Sequence, residues 1–241
     1  MASKQQVAGD LSLERAIESG MLVAYYAHTQ GDVMAVTSAF GERTFRQLNE
    51  NANRLVRLFR AHGLGPGDGV AHVSRNCCEF VEVLMATTRA GLRFTPINFH
   101  LNAEEIGYIV DNCDALAFVA DARLGQPPVA ARAKAPKVRL ALACGGSLEG
   151  FEDYGQALAA QDGSDIEDPQ LGSRMLYTSG TTGRPKGVFK HDPVPDVPQG
   201  PETPASYRPG LDRGLVTGPA YHAAPLVIDI LAALSSGVGI V

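Results

Sequence analysis

Short apolar segments alternate with longer amphipathic segments over much of this chain. The short segments are flanked by turn residues, as expected for strands buried on both faces of a sheet, and comprise residues 69–74, 92–96, 115–120 and 138–144. The longer segments have helical spacing and comprise residues 44–62, 77–90 and 102–112. Thr44 with Gln47, and Asn102 with Glu105, have the spacing of capping boxes. The alternation predicts an α/β fold with a largely parallel sheet, or sheets, flanked by helices.

Other segments give coarser expectations. Residues 11–29 have helical spacing that is interrupted at Gly20, and residues 151–160 are also expected to be helical. Residues 121–136 are rich in Ala, Pro and Arg and are expected to form a surface connection. Residues 223–241 are mostly apolar, but Asp229 and Pro225 interrupt them. A buried helix that runs into a buried strand fits this segment better than a membrane span.

One polar stretch stands out against this background because it combines glycines, hydroxyls and a lysine at high density. It follows an apolar run, residues 175–177, which is expected to be a buried strand. Glycines let the backbone bend so that successive N–H groups can surround an anion, and a lysine adds a point charge suited to phosphate. We therefore expect a mobile loop that holds a polyphosphate, with an ordinary polar turn as the alternative. The stretch is Thr178-Ser179-Gly180-Thr181-Thr182-Gly183-Arg184-Pro185-Lys186-Gly187.

The stretch does not match the common nucleotide-binding loop. A Walker-type loop places Gly-Lys-Ser/Thr at the start of a helix. Here Pro185 precedes Lys186, and Gly187, Val188 and Phe189 follow it. No helix is expected at that point, so the N-terminus of a helix is not available to bind phosphate.

The ten residues resemble the signature loop of the adenylate-forming (AMP-binding) enzymes, which include acyl-CoA synthetases, luciferases and peptide-synthetase adenylation domains. The family pattern, Ser/Thr-Ser/Thr-Gly-Ser/Thr-Thr-Gly-x-Pro-Lys-Gly after an apolar strand, is matched at every fixed position. Weaker pieces of family resemblance occur in the expected order along most of the chain, at residues 44–49, 52–55, 65–71, 76–81, 90–91 and 96–98. The resemblance implies the fold of the N-terminal subdomain of an acyl-CoA synthetase, such as a fatty-acid–CoA ligase.

The resemblance also implies an activity. In such enzymes a carboxylate attacks the α-phosphorus of ATP, pyrophosphate leaves, and the acyl-adenylate then reacts with the thiol of CoA. Lys186 and Thr181 are the implied catalytic residues, and Tyr221-His222 resembles the aromatic-His motif that lines the acyl pocket. The implied partners are therefore ATP, CoA and a carboxylic acid, for which a medium or long fatty acid is the first expectation and an aryl or bulky alicyclic acid the alternative. The residues implied to grip the phosphates are Thr178, Ser179, Gly180, Thr181, Thr182, Gly183 and Lys186.

The family's later motifs are not found in these residues. They are an adenine-binding Tyr-Gly-x-Thr-Glu segment, whose acid helps to hold Mg²⁺, a ribose-binding aspartate and a late catalytic lysine. We therefore expect the magnesium ligand beyond the end of this chain, and an N-terminal portion that has little or no ligase activity alone. Residues 1–190 are expected to form the α/β subdomain, residues 191–214, which contain six prolines, a solvated loop, and residues 215–241 the start of an incomplete helix and strand unit.

Composition excludes several other classes of protein. A net charge of −5 and a pI near 5.7 argue against nucleic-acid binding, which requires a basic surface. The four cysteines have no paired spacing and no His-rich partners, so buried reduced thiols are expected and no metal site is predicted. The first ten residues are polar and lack the apolar core of a signal peptide. A cytoplasmic location is expected, with peripheral attachment to a membrane left open.

Two alternatives to the ligase remain at this stage. The first is an NTPase or kinase with an unusual phosphate loop, which would turn over ATP without a carboxylic acid. The second is a non-catalytic phosphate-binding or assembly module that buries an open sheet edge in a homodimer. Residues 238–241 would supply that edge if they had no neighbouring strands.

Overall fold

The computed structural model describes residues 11–178, 185–189, 193 and 207–241, which form two sheets and the helices packed on them. The strands are β1 (Met34–Ser38), β2 (Gly41–Thr44), β3 (Gly69–Val73), β4 (Arg93–Ile97), β5 (Ala115–Asp121), β6 (Leu140–Cys144), β7 (Glu152–Asp153), β8 (Ser173–Thr178), β9 (Lys186–Phe189), β10 (Arg213–Gly214) and β11 (Gly239–Ile240). The α-helices are α1 (Leu13–Glu18), α2 (Leu22–Gln30), α3 (Phe45–Ala61), α4 (Cys78–Arg89), α5 (Ala103–Asn112), α6 (Gln126–Arg132), α7 (Tyr154–Ala159) and α8 (Ala232–Ser235).

The larger sheet has the strand order β7-β6-β5-β3-β4-β8-β9. Its neighbouring strands are parallel except for β8 and β9, which form an antiparallel hairpin. Helices α3, α4 and α7 pack on one face, and α5 and α6 pack on the other. A parallel sheet needs both faces covered, which explains why β3 and β6 are buried at every position. The predicted α/β fold with a largely parallel sheet is confirmed.

The smaller sheet has the order β10-β11-β1-β2 and corrects one expectation. Strand β11 is parallel to β1 on one side and to β10 on the other, so it is an inner strand. The expectation that residues 238–241 form an open, unpaired edge is therefore wrong. Gly239 permits this close pairing, because a Cβ there would lie 2.1 Å from the backbone oxygen of Met34.

The helix starts follow the sequence closely. Both capping boxes form: the Thr44 hydroxyl accepts from the Gln47 amide, and the Asn102 side chain accepts from the Glu105 amide. Helix α3 begins directly after Thr44 and ends before Gly63, whose φ is +75°. The helical spacing predicted for residues 11–29 is divided between α1 and α2, which meet at Gly20.

Three other segments differ in detail from the expectation. Residues 121–136, expected to be a surface connection, contain a 3₁₀ turn (Ala122–Leu124) and α6, whose first turn tolerates proline. Residues 151–160 begin with strand β7 before α7 starts. Strand β8 is half-buried where a fully buried strand was expected, because it pairs with β4 only at Ser173 and Arg174.

The last apolar segment, residues 223–241, forms a helix followed by a strand, as predicted. A π-helical stretch (Pro225–Leu231) continues into α8, and β11 follows. Within the described ranges no helix is long and apolar enough to cross a membrane. Most of residues 191–214 lies outside the described residues, so the division of the chain at residues 190 and 214 stays a prediction.

His72 is a buried histidine in the middle of β3 and was given no role from the sequence. Its ring is fully buried, 5.4 Å from the ring of Phe80 and 6.3 Å from that of Phe94. Neither ring nitrogen has a hydrogen-bond partner in the described part of the chain. Burial lowers the pKa of His72 from 6.5 to about 3, and the charge of Asp121 offsets only part of that effect. The folded protein therefore keeps this imidazole neutral.

We expect the replacement His72→Leu to make the protein less sensitive to acid. Between pH 6.5 and pH 3 the unfolded chain binds a proton at His72 that the folded chain does not, so stability falls as the pH is lowered. The loss approaches about 1.4 kcal/mol per pH unit in that range. Urea unfolding at several pH values should show a shallower pH slope for His72→Leu than for the wild type. The exposed His100 provides the control: a His100→Leu variant with the same shallow slope would contradict this account.

Candidate functional site

The polar stretch identified in the sequence lies at the hairpin formed by β8 and β9. Thr178 ends β8 and pairs with Lys186, the first residue of β9, and the Thr178 hydroxyl is 3.5 Å from the Lys186 carbonyl oxygen. Residues 179–184 lie outside the described residues, so Ser179, Gly180, Thr181, Thr182 and Gly183 stay predictions. A strand, and not a helix, follows Pro185, as the failed Walker match predicted.

Few contacts attach this hairpin to the rest of the fold. Its pairing with β4 ends at Arg174. Beyond that point the Tyr177 hydroxyl donates to the Asn112 side-chain oxygen at 2.6 Å, and the Arg93 guanidinium lies 5.3 Å from the centre of the Phe189 ring. Burial raises the pKa of Tyr177, which keeps its hydroxyl available as a donor. These contacts hold the base of the hairpin while the strands themselves remain partly exposed.

Lys186 and Thr178 have the chemistry that phosphate binding requires. Both residues are exposed. In the described part of the chain no carboxylate lies within salt-bridge distance of the Lys186 ammonium group. A hydroxyl and an exposed ammonium group at the two ends of one turn suit the terminal phosphates of ATP. The described residues therefore fit that group.

The second predicted pair, Tyr221 and His222, lies just before the π-helical stretch. The two rings are 4.4 Å apart, and the Tyr221 ring meets the edge of Phe99 at 5.6 Å. The His222 amide donates to the Pro219 carbonyl, which forms a tight turn that leaves the imidazole exposed. Burial raises the pKa of Tyr221, so the phenol is neutral at physiological pH. The turn thus presents one aromatic ring and one imidazole side by side.

Asn76 holds this turn in place, and sequence reasoning had given it no such role. Its side-chain nitrogen donates to the Gly218 carbonyl at 3.0 Å, and its side-chain oxygen accepts from the Ala220 amide at 2.9 Å. Asn76 follows β3, and Phe99 follows β4, so both project from the carboxyl ends of neighbouring parallel strands. Ligands of open α/β sheets bind at this edge. No local pattern could have revealed a contact between residues so far apart in the chain.

The π-helical stretch, Pro225–Leu231, is itself anchored to the segment before the turn. The Asp229 carboxylate accepts from both the amide and the hydroxyl of Thr217, each at 2.8 Å. Wide turns of this kind are rare and occur often at functional sites. Here the stretch fixes the far side of the turn that carries Tyr221 and His222.

A largely apolar cavity of about 280 Å³ lies next to this turn. It is enclosed by β1, β11, the start of α4 and the π-helical stretch. Its apolar lining includes Val36, Phe80, Val81, Val216, Ala220 and Ile230. The volume is close to the lower end of the range for ligand pockets.

The structure therefore brings the predicted residues together as two pairs. Thr178 and Lys186 share the hairpin, and Tyr221 and His222 share the turn. Among the described residues no hydrogen bond joins one pair to the other. A ligand that spans both, with an anionic end and an apolar end, would connect them.

Comparison with known proteins finds a family that matches most of the chain. The family model described as "AMP-binding enzyme" matches residues 23–241. A 3-oxocholest-4-en-26-oate–CoA ligase of Rhodococcus rhodochrous is 34% identical over 170 residues, which cover 67% of this chain and 31% of the relative. A medium/long-chain-fatty-acid–CoA/3-oxocholest-4-en-26-oate–CoA ligase of Mycobacterium tuberculosis is 32% identical over 176 residues, which cover 68% of this chain and 31% of the relative. The chain thus spans about a third of the length of these curated relatives.

Solved structures support the same fold. An anthranilate CoA ligase in complex with anthranoyl-AMP aligns with a TM-score of 0.79 at 19% identity, over 97% of this chain and 46% of that one. The N-terminal domain of FACL13 from Mycobacterium tuberculosis aligns with a TM-score of 0.76 at 24% identity, over 92% of this chain and 56% of that one. At these identities the likeness establishes the fold alone.

We expect Asn76→Ala to destabilise the chain because it removes both hydrogen bonds to the Tyr221 turn. The two bonds together contribute about 1–3 kcal/mol to the free energy of unfolding, which urea denaturation can measure. Asn76→Asp keeps the acceptor for the Ala220 amide but places a carboxylate oxygen about 3.0 Å from the Gly218 carbonyl oxygen, so it should not restore the stability lost in Asn76→Ala. Equal stability of wild type and Asn76→Ala would show that Asn76 does not hold the turn.

Proposed function

We propose, from the premise that the chain belongs to the AMP-binding enzyme family, that it forms the phosphate-gripping and acyl-binding part of an ATP-dependent acyl-CoA synthetase. The relatives named above are acid–CoA ligases, which supports a ligase. The observation that carries the proposal is the hairpin whose turn is flanked by Thr178 and Lys186, at the same carboxyl edge of the sheet as the turn of Tyr221 and His222. Because the chain spans about a third of these relatives, the activity is proposed for the full-length protein.

The proposed reaction has two steps. An oxygen of the substrate carboxylate forms a bond to the α-phosphorus of ATP, and the bond to pyrophosphate breaks. The sulfur of CoA then forms a bond to the acyl carbonyl carbon, its proton passes to solvent or a base, and AMP leaves. The first step spreads negative charge over phosphate oxygens, so positioned donors and cations supply most of the catalysis.

Lys186 and Thr178 bind the β- and γ-phosphates in this proposal, together with Ser179, Gly180, Thr181, Thr182 and Gly183. The ammonium group of Lys186 neutralises charge that would otherwise repel the incoming carboxylate. It also stabilises the pyrophosphate as that group leaves. The remaining loop residues donate hydroxyl and amide hydrogens to the same oxygens. Mg²⁺, which such reactions use, would neutralise further phosphate charge, and the carboxylate that would hold it is expected beyond the end of this chain.

Tyr221 and His222 form the carboxylate end of the acyl pocket in this proposal. The apolar cavity beside Ala220 receives the chain of the acid, because it is lined by aliphatic and aromatic side chains. A medium or long fatty acid is the first substrate class. A bulky alicyclic acid is the second, which the names of the two relatives favour.

We expect Lys186→Ala to slow adenylation in the full-length protein by about 100- to 1,000-fold. Removing one hydrogen-bond donor to the charge of a transition state slows other enzymes by about this factor. Acyl-dependent ATP–pyrophosphate exchange measures this step directly. Lys137→Ala is the matched control, since Lys137 is a surface lysine that pairs with Asp114 at the opposite edge of the sheet. Unchanged exchange in Lys186→Ala would remove this residue from the proposed mechanism.

The substrate is identified by a panel of carboxylic acids in a pyrophosphate-release assay on the full-length protein. We expect release to require an acid and to be fastest with medium or long fatty acids, with alicyclic and aryl acids as the comparison arms. ATP turnover without any acid would favour the NTPase alternative. The 241 residues alone are predicted to show no acyl-dependent exchange, and detectable exchange would overturn that prediction. A homodimer and a cytoplasmic location likewise remain proposals.

A further inference from the structure

Two cysteines and a glutamate from separate parts of the chain meet at the carboxyl edge of the large sheet. Cys77 immediately precedes α4, Glu79 lies in the first turn of that helix, and Cys144 ends β6. The two sulfur atoms and one carboxylate oxygen of Glu79 all lie within 4.8 Å of one another. Both cysteines are free and buried, with 3% and 2% of their surfaces exposed. Two thiols and a carboxylate thus share one small volume.

The cluster lies at a crevice where the connections that follow two neighbouring strands diverge. Strands β3 and β5 are neighbours, but α4 leaves β3 toward one face of the sheet and α6 follows β5 toward the other. Ligand sites of doubly wound sheets lie where connections diverge in this way. The buried carboxylate of Asp121 holds one wall by accepting from Nε of Arg123 at 2.6 Å.

The cluster contains groups whose bonding capacity is not used. Oxygen Oε2 of Glu79 is buried and has no hydrogen-bond partner in the described residues, and Oε1 is 3.8 Å from the Arg43 guanidinium. The Cys77 thiol donates a long bond, 3.7 Å, to the Ser74 hydroxyl, and its sulfur lies within 4.8 Å of the Cys144 sulfur. An unsatisfied buried acceptor is destabilising, and a bound cation would offset that cost.

We propose that Cys77, Glu79 and Cys144 bind one zinc ion. Thiolates select zinc over magnesium or calcium, and a carboxylate oxygen completes a three-ligand set of the type that zinc accepts. Tetrahedral zinc places sulfur and oxygen ligands roughly 3.4–3.8 Å apart, so the ligand atoms, which lie within 4.8 Å of one another, need to approach by about 1.4 Å at most. Binding releases the two thiol protons to solvent. Cys77 also lines the apolar cavity, from which a water molecule can reach the fourth position.

The charges near the site are compatible with this ion. Two thiolates, one carboxylate and Zn²⁺ sum to −1. Arg123 lies within electrostatic range of both sulfur atoms, and Arg43 faces Glu79, so cationic groups balance that charge. The ion would join the start of α4 to the end of β6. The sequence predicted no metal site, because Cys77 and Cys144 are far apart in the chain.

Cobalt(II) provides the test, since thiolate ligation gives a near-ultraviolet charge-transfer band that carboxylate or water ligation does not. The reduced, metal-free 241-residue chain is titrated with Co²⁺, and zinc is then added. We expect one equivalent of Co²⁺ to produce the band and zinc to abolish it. Cys77→Ser and Cys144→Ser should lose the band. Glu79→Gln should keep the band but bind Co²⁺ more weakly. The loss of affinity should be at least about 10- to 100-fold, the loss that removal of an outer-shell partner causes.

Controls separate this result from misfolding and from binding at other thiols. Cys113→Ser removes a buried cysteine that lies outside the cluster, and it should leave the titration unchanged. Glu79→Gln retains both thiols at a partly exposed position, so it tests the site even if a cysteine variant does not fold. Absence of the thiolate band in the wild type would overturn the proposal. So would its persistence in Cys144→Ser, its loss in Cys113→Ser, or an unchanged affinity in Glu79→Gln.

Discussion

Helix α4 fixes the geometry of the molecule because buried polar groups hold it between the two sheets. Glu82, with no exposed surface, accepts hydrogen bonds from Arg43 at 2.7 Å, from Asn51 at 2.7 Å and from the Tyr154 hydroxyl at 2.6 Å. Burial and the neighbouring Glu82 raise the pKa of Tyr154, so its hydroxyl stays protonated and donates. Removing one partner of a buried ion pair typically costs about 3–5 kcal/mol. The position of α4 is thus strongly determined, and with it the position of Asn76, two residues before the helix.

The two halves of the proposed active site are supported in different ways. The Tyr221 turn is fixed by Asn76 and by the Phe99 ring at the end of two inner strands. The hairpin of Thr178 and Lys186 pairs with β4 at two residues of β8, and the Tyr177–Asn112 hydrogen bond and the Arg93–Phe189 contact attach it further. In the proposed adenylation the acid must be held still while charge redistributes on the phosphates. The firmer support of the Tyr221 turn suits the proposed acyl side, and the lighter attachment of the hairpin suits the proposed phosphate side.

Local patterns in the sequence predicted local structure, but they did not predict contacts between residues that are distant in the chain. The capping boxes at Thr44 and Asn102 could be predicted because each depends on residues three positions apart. The inner position of β11 could not, because it depends on β1 at the other end of the chain. The same limit hid the Asn76 bonds and the meeting of Cys77 with Cys144. The family motif led to Lys186 and Tyr221 as predicted site residues, but it did not predict which residues hold them in place.

The pairing of β1 with β11 has a consequence for synthesis on the ribosome. Strand β1 consists of residues 34–38, yet its parallel partner is residues 239–240. Helix α2 also lacks its partners until the same region is synthesised, because Tyr26 donates to the Ser235 carbonyl and Gln30 to the Gly237 carbonyl. At roughly 5–20 residues per second, β1 leaves the ribosome about 10–40 s before its partner. The larger sheet can assemble in that interval, whereas the nascent smaller sheet keeps one side of β1 open to chaperones or to other chains.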